Sequence, residues 1–189
     1  MLKRIIRNDY LQKRIQLSEE DVQSKTSKIV RQFSRFAVPP CNYLLSYYPL
    51  TERNEFNVEL CVEVMRTKYP RLKVAWPRIE TETLSMEAYV IDNNGLFAKN
   101  KYNILEPISG EWISPELIEI IFVPLVVFDK RGYRVGYGKG YYDRYLTRCR
   151  ADVVKIGFSY FEAVEAIKDI TEFDVPLNFC ITPSRVYEF

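Results

Sequence analysis

Ile118-Glu-Ile-Ile-Phe-Val-Pro-Leu-Val-Val-Phe128 and, a few residues on, Arg134-Val-Gly-Tyr-Gly-Lys-Gly-Tyr-Tyr-Asp143 form the stretch on which the fold turns. The first run is apolar and β-branched enough for a buried strand, while Tyr141 to Arg150 can wind into a helix. Four of the chain's seven glycines fall between positions 132 and 140, beside Arg131, Arg134 and Lys139. A loop of this kind between strand and helix lets backbone N–H groups converge on an anion, and the helix N-terminus adds its partial positive charge. The spacing Gly136, Gly138, Gly140 is neither the P-loop pattern nor that of a dinucleotide fold. It also suits a turn that needs glycine only for its backbone angles, but the cations and the trailing Tyr-Tyr-Asp favour a phosphate guest.

Strand and helix alternate on either side of this stretch. Leu2, Ile5, Ile6, Leu11 and Ile15 recur at roughly helical spacing over residues 2 to 17, and Ser18 before Glu19, Glu20 and Asp21 reads as the N-cap of a second helix. Tyr43 to Tyr48 reads as a strand, Asn54 to Lys68 as a helix, Lys73 to Trp76 as a strand ended by Pro77, and Leu84 to Ile91 as another strand. A turn at Asn93-Asn-Gly95 opens a loop to Ser114; after the glycine loop and its helix, Val153 to Phe158 is a further strand and Phe179 to Thr182 a last edge strand. Such alternation predicts an α/β fold with a largely parallel sheet covered by helices, with ligands bound where loops leave the carboxyl ends of strands. There is no internal repeat or Gly/Ser linker, so residues 1–189 read as one domain, and that length can bury a substantial core.

Lys+Arg at 27 against Asp+Glu at 25 leaves no general basic field for nucleic acid, so anion binding must come from local clustering. Histidine is absent, and Cys41, Cys61, Cys149 and Cys180 lie far apart without a C-x-x-C pair. That removes most zinc sites and any imidazole-assisted nucleophile, and suits reduced thiols acting as small apolar side chains. The start, Met-Leu-Lys-Arg-Ile-Ile-Arg7, is too charged for a signal peptide, and no run approaches the ~20 apolar residues of a membrane span. A cytoplasmic protein without a membrane or nucleic-acid partner is expected.

Val123 to Arg144, which contains the glycine loop, resembles the signature of the 5-formyltetrahydrofolate cyclo-ligase family, also called 5,10-methenyltetrahydrofolate synthetases. Lys3-Arg-Ile-Ile-Arg7 is similar to the family's nucleotide-contacting segment and Tyr47-Tyr-Pro to Glu55 to its folate-contacting strand and loop. Leu105-Glu-Pro107 and Phe173-Asp-Val-Pro-Leu-Asn-Phe-Cys-Ile-Thr-Pro183 also fit, so the resemblance covers nearly the whole chain. It implies a three-layer α/β/α fold with a mixed sheet, of the NagB/RpiA-like kind, acting on a folate with ATP and Mg²⁺; a monomer is expected. It also implies ATP-dependent conversion of 5-formyltetrahydrofolate to 5,10-methenyltetrahydrofolate: the formyl oxygen takes up the γ-phosphoryl group, the ring closes, and ADP and phosphate leave. Phosphoryl transfer needs positioning and charge neutralisation rather than a histidine base.

Arg134 and Lys139 are the candidate catalytic cations, with Gly136, Gly138 and Gly140 letting the backbone approach the phosphates. Tyr137, Tyr141 and Tyr142 complete the nucleotide side together with Lys3, Arg4 and Arg7, of which Lys3 and Arg7 share one helix face. On the substrate side stand Tyr47 and Glu55, carried over from the family, together with Tyr137, Gly138, Lys139, Gly140 and Tyr141; Glu52 is an alternative carboxylate. Tyrosine rings clustered there suit a pterin, each stacking contact contributing about 0.5–1.5 kcal/mol beyond area burial. Asp143 is the candidate Mg²⁺ ligand, its other reading being a carboxylate that stabilises a helix start. Asn178 departs from the family pattern, in which a second acidic residue follows the Asp-x-Pro segment. Two other readings stand beside the ligase: a folate-binding protein without turnover, and a nucleotide- or RNA-binding module.

Overall fold

The computed structural model describes residues 1–80, 82–91, 96–100 and 104–189. In chain order the elements are α1 (Lys3–Ile15), α2 (Glu19–Arg35), β1 (Tyr43–Leu45), α3 (Glu59–Lys68), β2 (Lys73–Glu80), β3 (Ser85–Val90), β4 (Phe97–Lys99), β5 (Leu105–Pro107), β6 (Glu111–Ile113), β7 (Ile120–Val123), β8 (Val127–Phe128), β9 (Arg134–Val135), α4 (Tyr141–Leu146), β10 (Val154–Phe158), β11 (Phe179–Ile181) and β12 (Val186–Glu188). Eight strands form one sheet in the order β12-β11-β10-β7-β1-β2-β3-β6. The pairs β11/β10, β10/β7, β7/β1 and β1/β2 are parallel, and antiparallel strands flank them at both edges.

The period-2 alternation of the central strands sorts their side chains between two cores. Leu44, Ile120, Phe122, Ile156 and Phe158 face α2 and α3, whose Ile29, Phe33, Cys61, Val62 and Met65 are fully buried against them. Phe33, Phe122 and Phe158 meet edge to face, with centroids 5.1–5.6 Å apart. Leu45, Ile121, Val123 and Cys180 face the other way, onto Tyr141, Tyr145 and Leu146 of α4. The result is three layers, as expected. α1 lies outside them, against the β8–β9 ribbon, where Ile6, Val127 and Val135 have no exposure.

Several elements depart from the sequence reading for visible reasons. The strand expected over Tyr43 to Tyr48 is β1 alone. The helix expected from Asn54 starts at Glu59, because Asn54 is left-handed (φ 48°) and its side chain donates to the Arg14 carbonyl at the end of α1 (3.1 Å). Pro77 does not end β2. The neighbouring Ile79 N–H points away from β3, to Glu106 (3.0 Å), so the donor missing at Pro77 falls on the side where β1 has already stopped. The loop before Ser114 contains β4, β5 and β6, and the Asn93-Asn-Gly95 turn lies outside the described residues. The single strand expected over Ile118 to Phe128 is broken at Pro124, after which the chain leaves the sheet and pairs as β8 with β9. The helix after the glycine loop stops at Leu146, tightening into i→i−3 bonds at Arg148 and Cys149. β11 is not the edge, because β12 adds outside it.

Candidate active site

The strand order reverses between β1 and β7: the chain leaves β1 through α3 toward β2, and leaves β7 toward β10 on the other side. Loops from the carboxyl ends of these two strands therefore diverge and leave a crevice, the usual ligand position in open α/β sheets. A cleft of about 490 Å³ opens there. Tyr47, Tyr48, Leu50, Glu52, Arg53 and Glu55 form one wall, and Gly136, Tyr137, Gly138, Lys139, Gly140, Tyr141, Tyr142 and Asp143 the facing wall. Lys3 and Arg7 of α1 and Asp174 close one end.

The glycine loop is shaped by its neighbours. Gly138 and Gly140 have φ values of +89° and +69°. A Cβ at Gly138 would stand 3.2 Å from the Arg7 guanidinium carbon, and one at Gly140 would stand 2.8 Å from an Arg144 terminal nitrogen. Both positions are glycine so that an arginine can lie across the backbone. Arg7 Nε donates to the Gly136 carbonyl (2.7 Å), and Arg144 clips the loop to the β2–β3 turn through the Leu84 (2.7 Å) and Lys139 (2.9 Å) carbonyls. Gly136 is different: a Cβ there would meet nothing within 4 Å.

Most of the residues singled out in the sequence line this cleft, but they divide by condition. Lys139 is exposed at the mouth. Lys3 spends its ammonium on Asp174 (2.6 Å), whose carboxyl is pushed up by burial but held below its usual range by Lys3 and Thr171. Arg134 is buried; it donates to the Val175 carbonyl (2.6 Å) and to Asp143 (3.0 Å), and desolvation lowers its pKa against the pull of that carboxylate. Arg134 thus fixes Asp143 in the wall. Arg4 is exposed and is not among the residues lining the cleft. Arg131 turns to the buried Asp129 (2.8 Å). Asn178 also lies off the cleft, exchanging hydrogen bonds with the Lys155 backbone (both 2.9 Å) that tie the approach to β11 onto β10.

The floor holds a buried polar network. Tyr137 donates to Glu55 Oε1 (2.5 Å), the Leu50 N–H donates to Oε2 (2.8 Å), and Arg14 of α1 donates to the Tyr137 hydroxyl (2.6 Å). Burial raises the Glu55 pKa above the ordinary carboxylate value, with Arg14, Tyr137 and Leu50 pulling it back. Burial also pushes the Tyr137 and Tyr47 phenols up, so both stay protonated donors. Arg53, whose guanidinium lies 5.5 Å from the Tyr137 ring centroid, and Arg14 were not singled out in the sequence. The 11-residue interval from Lys3 to Arg14 puts both on one helix face and was the available signal.

Fold and cleft together define an α/β protein that sets a glycine- and cation-rich loop against an aromatic wall bearing a buried carboxylate, at the switch point of a mixed sheet with a parallel centre. The sequence model of the 5-formyltetrahydrofolate cyclo-ligase family matches residues 1–183, and the chain belongs to that family. The 5-formyltetrahydrofolate cyclo-ligase of Mycoplasma pneumoniae is 29% identical over 183 residues, covering 96% of this chain and 98% of that protein. The solved 5,10-methenyltetrahydrofolate synthetase of Aquifex aeolicus superposes with a TM-score of 0.81 at 30% identity, over 100% of this chain and 93% of the other. That of Mycoplasma pneumoniae gives 0.75 at 28% identity, over 97% and 99%.

Proposed function

We propose that this cleft converts 5-formyltetrahydrofolate to 5,10-methenyltetrahydrofolate at the expense of ATP. The observation that carries the reading is that one cleft sets the phosphate-suited loop opposite the Tyr47–Glu55 wall, close enough for one reaction to span both. Names of relatives matched over nearly their whole length support it. The formyl oxygen attacks the γ-phosphorus; an O–P bond forms and ADP leaves. The neighbouring N10 then adds to the activated carbon, loses its proton, and phosphate departs with the former formyl oxygen. The chain's part is to align the two substrates and neutralise charge on the moving oxygens. Lys139, the Arg7 guanidinium and the Gly136–Gly140 backbone serve the phosphates, and Glu55 accepts from pterin N–H groups beside Tyr47.

Mg²⁺ fits this site as a companion of the nucleotide. Among the described residues no group of three carboxylate, cysteine or histidine side chains could hold a metal alone. Asp143 nevertheless takes both its hydrogen bonds, from Arg134 and Val175, on Oδ1, leaving Oδ2 for the ion. One carboxylate with phosphate oxygens and waters is an ordinary Mg²⁺ shell, and the bound ion would neutralise phosphate charge. Balanced charge supports small-molecule rather than nucleic-acid partners. No helix among the described residues is long and apolar enough to cross a membrane, and four unpaired thiols suit the reducing cytoplasm. The test is purified protein with 5-formyltetrahydrofolate, ATP and Mg²⁺: methenyl absorbance rises with stoichiometric ADP. Tight folate binding with neither signal would point instead to a binding protein.

A further inference from the structure

Arg14 has no part in the reaction above, yet it binds both walls of the cleft. Its side chain is 4% exposed. Nε donates to the Arg53 carbonyl (2.8 Å), one terminal nitrogen to the Leu125 carbonyl (3.1 Å) and the other to the Tyr137 hydroxyl (2.6 Å). The same guanidinium stands 4.0 Å from Glu55 Oε1, which Tyr137 also contacts. Three segments converge on it: the turn that leads into Glu55, the backbone just beyond β7, and the glycine loop. Lys3, Arg7 and Arg14, at intervals of four and seven residues, lie along one stripe of α1 that runs past that loop. Burying a guanidinium carries a desolvation penalty that an apolar residue of similar volume avoids, so mere packing does not call for arginine here. A planar fork that sets the relative position of two ligand-facing groups does.

We propose that Arg14 is a positioning residue that locks Tyr137 and the 50–55 turn into one unit, so that Glu55 is presented as a carboxylate in register with the phosphate-binding loop. The inference rests on the proposed function for its substrates but not for its geometry. The groups facing Glu55 are Arg14 of α1, Arg53 of the turn, Tyr137 of the loop, Tyr47 after β1, Tyr142 of α4 and Tyr160 after β10. Arg14 is foremost among those that favour its charged form. Loss of the cation therefore raises the Glu55 pKa further, whereas lysine at this position keeps the charge and loses the fork.

The test compares Arg14→Gln and Arg14→Lys with wild type by two measurements. The first needs no turnover: carboxyl-¹³C NMR titration of the ligand-free protein, with the Glu55 signal identified by its absence in Glu55→Gln. We expect the midpoint to move up by about half a pH unit or more in Arg14→Gln and to stay near wild type in Arg14→Lys. Unchanged midpoints in both variants overturn the proposal. The second is steady-state kinetics, in which each variant's KM for 5-formyltetrahydrofolate rises about tenfold while its KM for MgATP stays within about twofold. Equal rises for both substrates, accompanied by a lower melting temperature, mean general loosening and also overturn it. If Arg14→Gln does not fold, Arg14→Lys decides by the same KM split. An inactive wild type would defeat the functional reading alone, and the titration would still judge Arg14.

Discussion

Glu55 and Lys139 face the same cleft under opposite conditions, and the contrast sets what each contributes. Lys139 is an exposed side chain lining the cleft, so its truncation opens no cavity in the core. Lys139→Ala should lower turnover by about 10²-fold, the scale of losing one donor to a developing oxyanion. Its unfolding free energy should shift by less than about 0.5 kcal/mol, as judged by denaturant midpoint; wild-type kinetics would remove Lys139 from the mechanism. Glu55 is buried, and that burial holds its folded-state pKa above the ordinary carboxylate value. For an acid raised in this way folding favours the protonated form relative to the unfolded chain, although the group still ionises at higher pH. Its contribution to stability is therefore favourable at low pH and is lost as pH rises from that ordinary value through the folded one. Glu55→Gln should accordingly melt above wild type at pH 8, with the gap closing on acidification below the ordinary carboxylate range, while its affinity for the folate falls. A gap independent of pH would show that burial of charge at Glu55 is not what costs stability.

At the scale of elements, the glycine loop divides into positions that accommodate the protein and one that faces open space. Gly138→Ala forces a Cβ onto φ +89° and against Arg7, a strain of about 1–3 kcal/mol that also displaces the guanidinium proposed above to serve the phosphates. Gly136→Ala meets nothing within 4 Å in the free protein. It should leave the melting temperature within a degree or so of wild type while raising the KM for ATP, because the space its methyl enters belongs to the ligand. If Gly136→Ala has normal KM, the phosphates lie elsewhere along the loop. The loop itself was legible because glycine is clustered there and three cations accompany it. So were α1, α2 with its Ser18 cap, and the five parallel strands, all marked by local periodicity or capping chemistry. β4, β5 and β6 were not. Each is three residues long, and the contacts that hold β5 and β6 come from elsewhere in the chain: Ile79 of β2 donates to Glu106 of β5, and β6 pairs with β3. Pro77 misled for a related reason: whether proline can stay in a strand depends on which neighbour is missing, and that is decided by where β1 ends. Similarly, Arg134 and Asp143 were both legible as charged residues of the loop, but that each is the other's partner depends on a tertiary contact.

Over the whole molecule, the beginning of the chain is held by the segment before β11, and this makes the proposed phosphate contacts of Lys3 and Arg7 depend on the assembled fold. The Met1 ammonium donates to the Ala166 carbonyl (3.2 Å), the Lys3 N–H to Asp169 (2.7 Å) and the Lys3 ammonium to Asp174, while Ile6 fills the small core beneath the β8–β9 ribbon. The glycine loop comes from the middle of the sequence, so Lys3 and Arg7 reach it only after α1 has docked. ATP that binds this arrangement and not the unfolded chain must stabilise it. At 100 times its Kd the gain is about 2.7 kcal/mol, which for a chain of this length raises the melting temperature by roughly 5–10 °C. Lys3→Ala combined with Arg7→Ala leaves Ile6 in its core and removes only a partly exposed ion pair and one hydrogen bond to the loop, so the ligand-free double variant should melt only a few degrees below wild type. If the pair clamps the phosphates and its loss weakens binding about 100-fold, the same ATP concentration contributes only about 0.4 kcal/mol, a shift of about 1 °C. Thermal melts with and without MgATP measure both quantities. A double variant that keeps the full ATP-induced shift would assign the phosphates to Lys139 and the loop backbone alone, and leave α1 as a structural cover on that wall of the cleft.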